Sequence, residues 1–529
     1  MRPCSPMNNC QDAAQEISQA IGQALELQIE GRLDEAEAAF KKILQAHPGH
    51  ADALNLSGML SYQRRRVEEA AERIAQAIAA DGANAAYFAN QAMVLATLDR
   101  TDEVEASLRR ALELDPGNTS FLLSLGNTLQ RQGKTGEAEA CFRQTMELRP
   151  DFLGAYNNLG VILEAQGRHA EAEACYKRAL EAGLEEPPVL LNLGNALRDQ
   201  HRPDEAIAAY GRAIELKPDF AQAHVNMSYA LLMKGDFEAG WKEFEWRWKV
   251  ENFPTPLRPF AQQPWDGTPL SGETVLVHAE QGFGDTLQFA RYTAAVADRG
   301  GRVVVECQPE LRRLMATAPG VAGVVAHGET LPEFDRHVPL LSLPGLLNTT
   351  LQSIPADTPY LRPDPRLAEE WAGRMAGGGR KVGIVWRSSL GQLSSPHKSC
   401  PLTAFAPLFE LPGVRLFSLQ KDPPADDLPL PGGVGDLGGR LDDFADTAAV
   451  ISSLDLTISV DTAVAHLAGA LGRPVWLLLS TAGDWRWLTG REDSPWYPTM
   501  RLFRQPSPGD WQGVLQRTAA ALVNLDISP

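Results

Sequence analysis

Up to about residue 250 the apolar positions recur at the three- and four-residue spacing of amphipathic helices, in short runs broken by polar turns. A longer period lies over this one. Gly126, Gly160 and Gly194 stand 34 residues apart, as do Ala138, Ala172 and Ala206 and the aromatic series Phe142, Tyr176, Tyr210 and Phe244. Pro116 and Pro150 keep the same step, and Pro218 lies two steps further on. A fixed period of this length predicts one helical hairpin repeated along the chain. In each hairpin the glycine belongs on the first helix where a neighbour approaches closely. The alanine permits tight crossing on the second helix, and the aromatic ring fills the gap between them.

The pattern resembles the tetratricopeptide repeats, and it covers residues 17–250 as seven units, the first three and the last more degenerate. Val104 replaces the small alanine of the third unit, and His201 stands where Gly133, Gly167 and Gly235 mark the turn between helices. Stacked hairpins make an α-solenoid whose concave face is suited to a peptide. Asn90, Asn158, Asn192 and Asn226 share one repeat position, with Ser124 interrupting the series. Their amides can pair with an extended peptide backbone as acceptor-binding groups, or bond locally within the stack. Tyr176 and Tyr210 read as core packing.

Beyond the repeats the pattern changes. The stretch from Gly240 to Gly267 is rich in Trp, Pro and Phe, which suits a packed junction, with a linker over residues 251–272. From Glu273 short apolar runs alternate with helical stretches. TVLVHAE, RVVVEC, GVVAHG and HVPLLSL predict one set of buried strands over 273–365, and KVGIVW, VRLFSLQ, LDLTISVD and PVWLLLS a second over 380–529. Such alternation predicts two parallel α/β lobes, with ligands at the carboxyl ends of the strands.

Composition narrows the partners. A formal charge of −18 gives no basic footprint for nucleic acid or an anionic membrane surface. No stretch has the length of a membrane span, the first residues lack the apolar segment of a secretion signal, and the chain reads as cytoplasmic. The six cysteines show no metal-ligand spacing, and Cys141 and Cys175 are one repeat apart, equivalent positions of neighbouring units. Asp426, Asp427, Asp442 and Asp443 lie in loop or capping contexts, so no metal site is expected.

Two motifs carry candidate chemistry. In EQGFGDTLQFARY a strand runs through Gly282 and Gly284 into a helix, placing Asp285 at or near the helix cap. Locally that aspartate is either a cap or a carboxylate aimed into the cleft. In LDLTISVDTAVAHLAGALGRPVWLLL a strand delivers Asp461 and Thr462 to a helix start, with His466 one turn on. The amides and dipole of such a start attract an anion such as a phosphate.

SVDTAVAHLAGALGRPV resembles the donor-binding signature of the GT-B lipopolysaccharide heptosyltransferases, and GFGDTLQFAR resembles the turn of their N-terminal lobe. DWRWLTGREDSPWYPTMRLFRQ resembles a bacterial group in which tetratricopeptide repeats precede such a domain, some of whose members modify flagellin; O-GlcNAc transferase is a more distant analogue. The resemblance implies two Rossmann-like lobes of GT-B type and an inverting glycosyltransferase that takes a nucleotide sugar as co-substrate and needs no metal. It implies Asp285 as general base. It implies Lys398, Asp461, Thr462, His466 and the Ala463 amide around the donor, with Gly282 and Gly284 on the acceptor side. Arg486 and Arg387 are phosphate candidates, although Arg387 stands where relatives carry a small residue. The acceptor is then a Ser or Thr of a protein held by the repeats. Two alternatives stay open: a scaffold whose transferase domain is inactive, motivated by the short N-terminal lobe, and a transferase acting on lipid or polysaccharide.

Overall fold

The computed structural model describes residues 6–388, 398–481 and 484–525, which form two compact units, Met1–Glu185 and Glu186–Pro529. Among the described residues the first unit consists of five helical hairpins, from Pro6–Ile29 with Leu33–Ala46 to Leu153–Ala165 with His169–Glu181. Gly31, Arg65, Asp99, Gly133 and Gly167, one per hairpin, all have positive φ. A left-handed residue costs a side chain roughly 1–2 kcal/mol, so at Arg65 and Asp99 helix packing, not residue preference, imposes the turn. The small-against-large prediction is realised in atoms. A Cβ on Gly126 would stand 2.5 Å from the Phe142 ring and one on Gly160 2.5 Å from the Tyr176 ring, and both rings are buried. Arg66, Arg100 and Arg168 head second helices and pair with Glu69, Glu103 and Glu171 three residues on. Glu37, Glu105 and Glu139 receive cations from the following repeat.

The second unit opens with two more hairpins, Pro187–Asp199 with Pro203–Leu216 and Ala221–Lys234 with Phe237–Phe244. Their turns sit at His201 and Gly235, again at positive φ, so the histidine adopts the glycine's conformation. Eleven strands follow among the described residues, in two all-parallel sheets. The first comprises β1 (Gln263–Pro264), β2 (Thr274–His278), β3 (Arg302–Cys307), β4 (Val321–Ala326) and β5 (Arg336–Pro339), in the order β1-β5-β2-β3-β4. The second comprises β6 (Arg380–Val385), β7 (Val414–Ser418), β8 (Gly435–Asp436), β9 (Leu456–Val460), β10 (Val475–Leu479) and β11 (Met500–Arg504), in the order β11-β10-β9-β6-β7-β8.

All eight strands expected from apolar runs are present. The apolar pattern does not reveal β11, because arginines interrupt it, and β1 and β8 are too short to show a period. β1 lies within the stretch expected as a linker, so that stretch contributes an edge strand to the first sheet. In each sheet the chain reverses its direction of winding once, between β2 and β5 and between β6 and β9. Crevices at such reversals, outside the carboxyl ends of the strands, are where α/β sheets take ligands. One core joins Phe237 and Trp241 of the last hairpin to Val277 and Phe289 beside the first sheet and to Leu477 and Trp485 of the second. A second cluster, including Ile384, Ile458 and Trp511, covers the other face of the second sheet. Among the described residues no helix is long and apolar enough to cross a membrane.

Candidate functional site

The two motifs meet. Gln281 and Gly282 follow β2 and lead into the helix Phe283–Phe289, while Asp461 and Thr462 follow β9 and lead into the helix Ala463–Ala470. These helices approach so closely that a Cβ on Gly284 would stand 3.0 Å from His466 Cδ2 and 3.8 Å from Ala463 Cα. A side chain at position 284 would therefore crowd His466 at the opposing helix start. Gly282 is the residue at the helix cap, and Asp285 lies three residues inside: its Oδ2 accepts the Gly282 N–H at 3.0 Å.

The other Asp285 oxygen, Oδ1, accepts from Arg486 NH2 at 2.5 Å. Arg486 in turn reaches Asp484 Oδ1 at 2.9 Å and donates from Nε to Gln288 Oε1 at 2.7 Å. Lys398 Nζ lies 3.2 Å from Asp484 Oδ2 and 2.8 Å from Asp461 Oδ2. His466 Nε2 is 4.0 Å from Asp461 Oδ1, and its Nδ1 is hydrogen-bonded to the Tyr497 hydroxyl at 2.9 Å. The result is one continuous, largely buried chain of charged and polar groups from the turn after β2 to the helix after β9. Thr462 heads that helix, with its hydroxyl 2.9 Å from Ser459 Oγ.

Burial and neighbouring charge set the protonation of these groups. Burial raises the Asp285 carboxyl above its ordinary range despite the pull of Arg486. Asp484 is held below the carboxylate range because Arg486 and Lys398 outweigh its desolvation. Lys398 and Arg486 are both raised, since the facing carboxylates overcome burial. Burial lowers His466 to about 4, so the ring is neutral at physiological pH. Three carboxyl groups thus share two cations. A diphosphate entering here competes for Lys398 and Arg486 with the side chains that already hold them.

The acid that sequence reasoning missed is Asp484, which follows β10 in the stretch that also carries the tryptophans. Its signal was positional: an acidic residue beyond the carboxyl end of a central strand, on the same side of the sheet as Asp461. Gln288 and Tyr497 were missed as polar partners because each sits among apolar residues. Arg387 lies apart. Its backbone N–H donates to Gln420 Oε1 at 2.9 Å, and its guanidinium is 4.0 Å from Asp427, which also accepts the Trp386 indole N–H. Asp443 caps the helix Phe444–Ser452. Trp485, Trp487, Trp496 and Tyr497 are buried packing residues.

The repeat asparagines bond to neighbouring repeats. Asn90 donates to Asn55 at 3.0 Å and Asn158 to Asn127 at 2.7 Å in the first unit. In the second, Asn226 donates to Asn195 at 2.7 Å and accepts from Gln222 at 2.8 Å, while Asn192 is half-buried.

Known proteins match the chain in two parts, repeats and then a shorter segment. Tetratricopeptide repeat families match residues 27–94, 85–118, 118–185 and 151–219. Glycosyltransferase family 9 (heptosyltransferase) matches residues 435–479, a segment that holds Asp461 to His466 but neither Asp285 nor Lys398. Protein FlbA of Caulobacter vibrioides is 27% identical over 335 residues, which cover 58% of this chain and 55% of that protein. The alignment thus spans about half the length of this relative. Among solved structures, MamA is 24% identical with a TM-score of 0.29, covering 30% of this chain and 93% of its own. PilF of Pseudomonas aeruginosa is 19% identical with a TM-score of 0.36, covering 40% and 96%. The chain therefore carries tetratricopeptide repeats followed by a segment similar to heptosyltransferase-type glycosyltransferases.

Proposed function

We propose that the chain is a GT-B glycosyltransferase with two Rossmann-like lobes, moving a sugar from a nucleotide-sugar donor to a Ser or Thr hydroxyl of a protein held by the repeats. The observation that carries this reading is the convergence of the carboxyl ends of β2 and β9 on one buried chain of groups from Asp285 through Arg486, Asp484 and Lys398 to Asp461. The donor phosphates engage Lys398, Arg486 and the amides at Ala463, drawing Arg486 away from Asp285. The released carboxylate then takes the proton of the acceptor hydroxyl as its oxygen attacks the anomeric carbon. The bond to phosphate breaks, its electron pair leaves with the nucleotide, and a single displacement inverts the centre. Neutral His466, oriented by Tyr497, offers Nε2 to the donor. The asparagine positions supply peptide contacts, flagellin is an acceptor class offered by the resemblance, and the reaction belongs in the cytoplasm.

The test is a panel of UDP-, GDP-, ADP- and CMP-sugars. A matching donor raises the melting temperature of the full chain. With that donor, Asp285→Asn lowers turnover on the order of a hundredfold or more while donor stabilisation persists. An unchanged rate removes Asp285 from the mechanism. A second reading, an inactive scaffold, is favoured by one observation: both Asp285 oxygens already have partners. It requires that the wild-type chain turns over no donor.

A further inference from the structure

The two residues immediately before Gly282 are both held by the segment that leaves the last repeat hairpin. Arg247, in the short helix Glu245–Lys249, donates from Nε to Glu280 Oε2 at 2.9 Å and from NH2 to Glu280 Oε1 at 2.8 Å. Both side chains are 0% exposed. The same guanidinium reaches Ser342 Oγ at 2.8 Å and Glu245 Oε1 at 2.8 Å, and lies against the rings of Phe244 and Trp248. Glu280 Oε1 also accepts the Leu341 N–H at 3.2 Å, so the pair fills the reversal between β2 and β5.

Gln281 comes next, at φ 62°, a conformation that side chains avoid. Its N–H donates to Thr255 Oγ1 at 3.0 Å, and its carbonyl accepts from Gln308 Nε2 at 3.3 Å. A left-handed residue other than glycine persists only where its surroundings hold it, and Thr255 belongs to the same post-repeat segment as Arg247. Gly282 and Asp285 follow directly.

We infer that Arg247, seconded by Thr255, is a positioning residue for the Gln281–Asp285 turn, so that the segment closing the repeats is part of the transfer machinery. This rests on the transferase reading above. Arg247 acts through Glu280 and has no contact with Asp285 itself. The bidentate fork fixes where β2 ends, and the bond from Gln281 fixes the angle at which the chain enters the helix bearing the base. A base displaced by about 1 Å loses on the order of a hundredfold in rate.

The experiment uses the full chain and the nucleotide sugar that stabilises it. In Arg247→Met combined with Glu280→Leu, no buried charge is left alone. Thr255→Val removes one hydrogen bond at a half-buried site and keeps the question answerable should the double variant fail to fold. The expected result for the variants that fold is a kcat lower by on the order of ten- to a hundredfold, with donor KM and donor-induced stabilisation kept. Arg247→Lys, which retains charge but loses the fork, recovers the fold without recovering kcat. Folded variants with wild-type kcat overturn the assignment, as does a loss of kcat that follows donor affinity and melting temperature together. A wild-type chain that turns over no donor overturns the transferase reading, and the assignment with it.

Discussion

In the first unit the ion pairs keep at least one partner open to water: Arg100 and Glu103 are 48% and 55% exposed, and Glu105, at 14%, pairs with Lys134 at 43%. In the second, Arg247 and Glu280 are both 0% exposed, and Asp285 and Arg486 only 17% and 12%. Exposed pairs are screened and contribute little, so a repeat can lose one without penalty; the seventh has Asp236 where others carry Arg or Lys. Buried pairs must offset the desolvation of two ions, and apolar residues of equal volume would often serve stability as well. In the second unit such pairs fix a direction and a charge at the carboxyl ends of strands. The first unit is held by shape, ring against glycine. The second combines shape with aligned charge at the carboxyl ends of its strands.

The largest test of this contrast is Glu280→Gln, which leaves the buried Arg247 guanidinium only the half-exposed Glu245 as a carboxylate partner. Unfolding in urea followed by tryptophan fluorescence should show a loss of about 3–5 kcal/mol. All eleven tryptophans lie at position 241 or beyond, so this signal reports the second unit alone.

Acid gives a comparable effect, approached only as pH falls towards 3. Burial lowers His278 to about 3 from an ordinary 6.5. Between these values the unfolded chain binds the proton and the folded one does not. The contribution of the neutral ring is complete above 6.5 and is lost as pH falls towards 3, at about 1.4 kcal/mol per pH unit. Burial raises the Glu280 and Asp285 carboxyls, which work the other way, so the comparison is with His278→Phe. The wild type should lose stability relative to this variant below 6.5 and run parallel to it above. A gap independent of pH would show that His278 titrates normally.

Shape comes next. Gly160→Ala drives a Cβ into the buried Tyr176 ring and should cost about 1–2 kcal/mol after the gain in helix propensity. Thermal unfolding by circular dichroism measures it, and adding Tyr176→Leu should recover part of the loss. The smallest effect belongs to an exposed pair: Arg100→Met should leave the midpoint unchanged within error, and a clear drop would show that surface charge does more in the repeats than the contrast allows.

Much of this was legible along the chain. The repeat shows itself because each hairpin must solve one packing problem, and glycine under an aromatic ring solves it at a constant interval. The buried parallel strands show themselves because strands covered on both faces are apolar throughout. Asp285, Asp461 and His466 were marked by motif, Lys398 by the resemblance and Arg486 as a phosphate candidate, and all five lie in one chain of charged and polar groups. Asp484 and the pairing of Arg247 with Glu280 were not, because Lys398 lies 86 residues from Asp484 and Glu280 33 residues from Arg247, separations that carry no local period.

By itself, then, the amino-acid sequence determined the hairpin unit, its count and the two sets of strands, since local propensity and hydrophobic period act over a few turns of chain, while the roles of the candidate acids and bases came with the resemblance. Only the tertiary structure decided which charges share a carboxylate, that Gly284 lies against His466, that Arg387 stands with Asp427, and that the end of the repeats holds the turn before Asp285. Those outcomes depend on desolvation and on distances between segments tens to hundreds of residues apart, which no local pattern encodes.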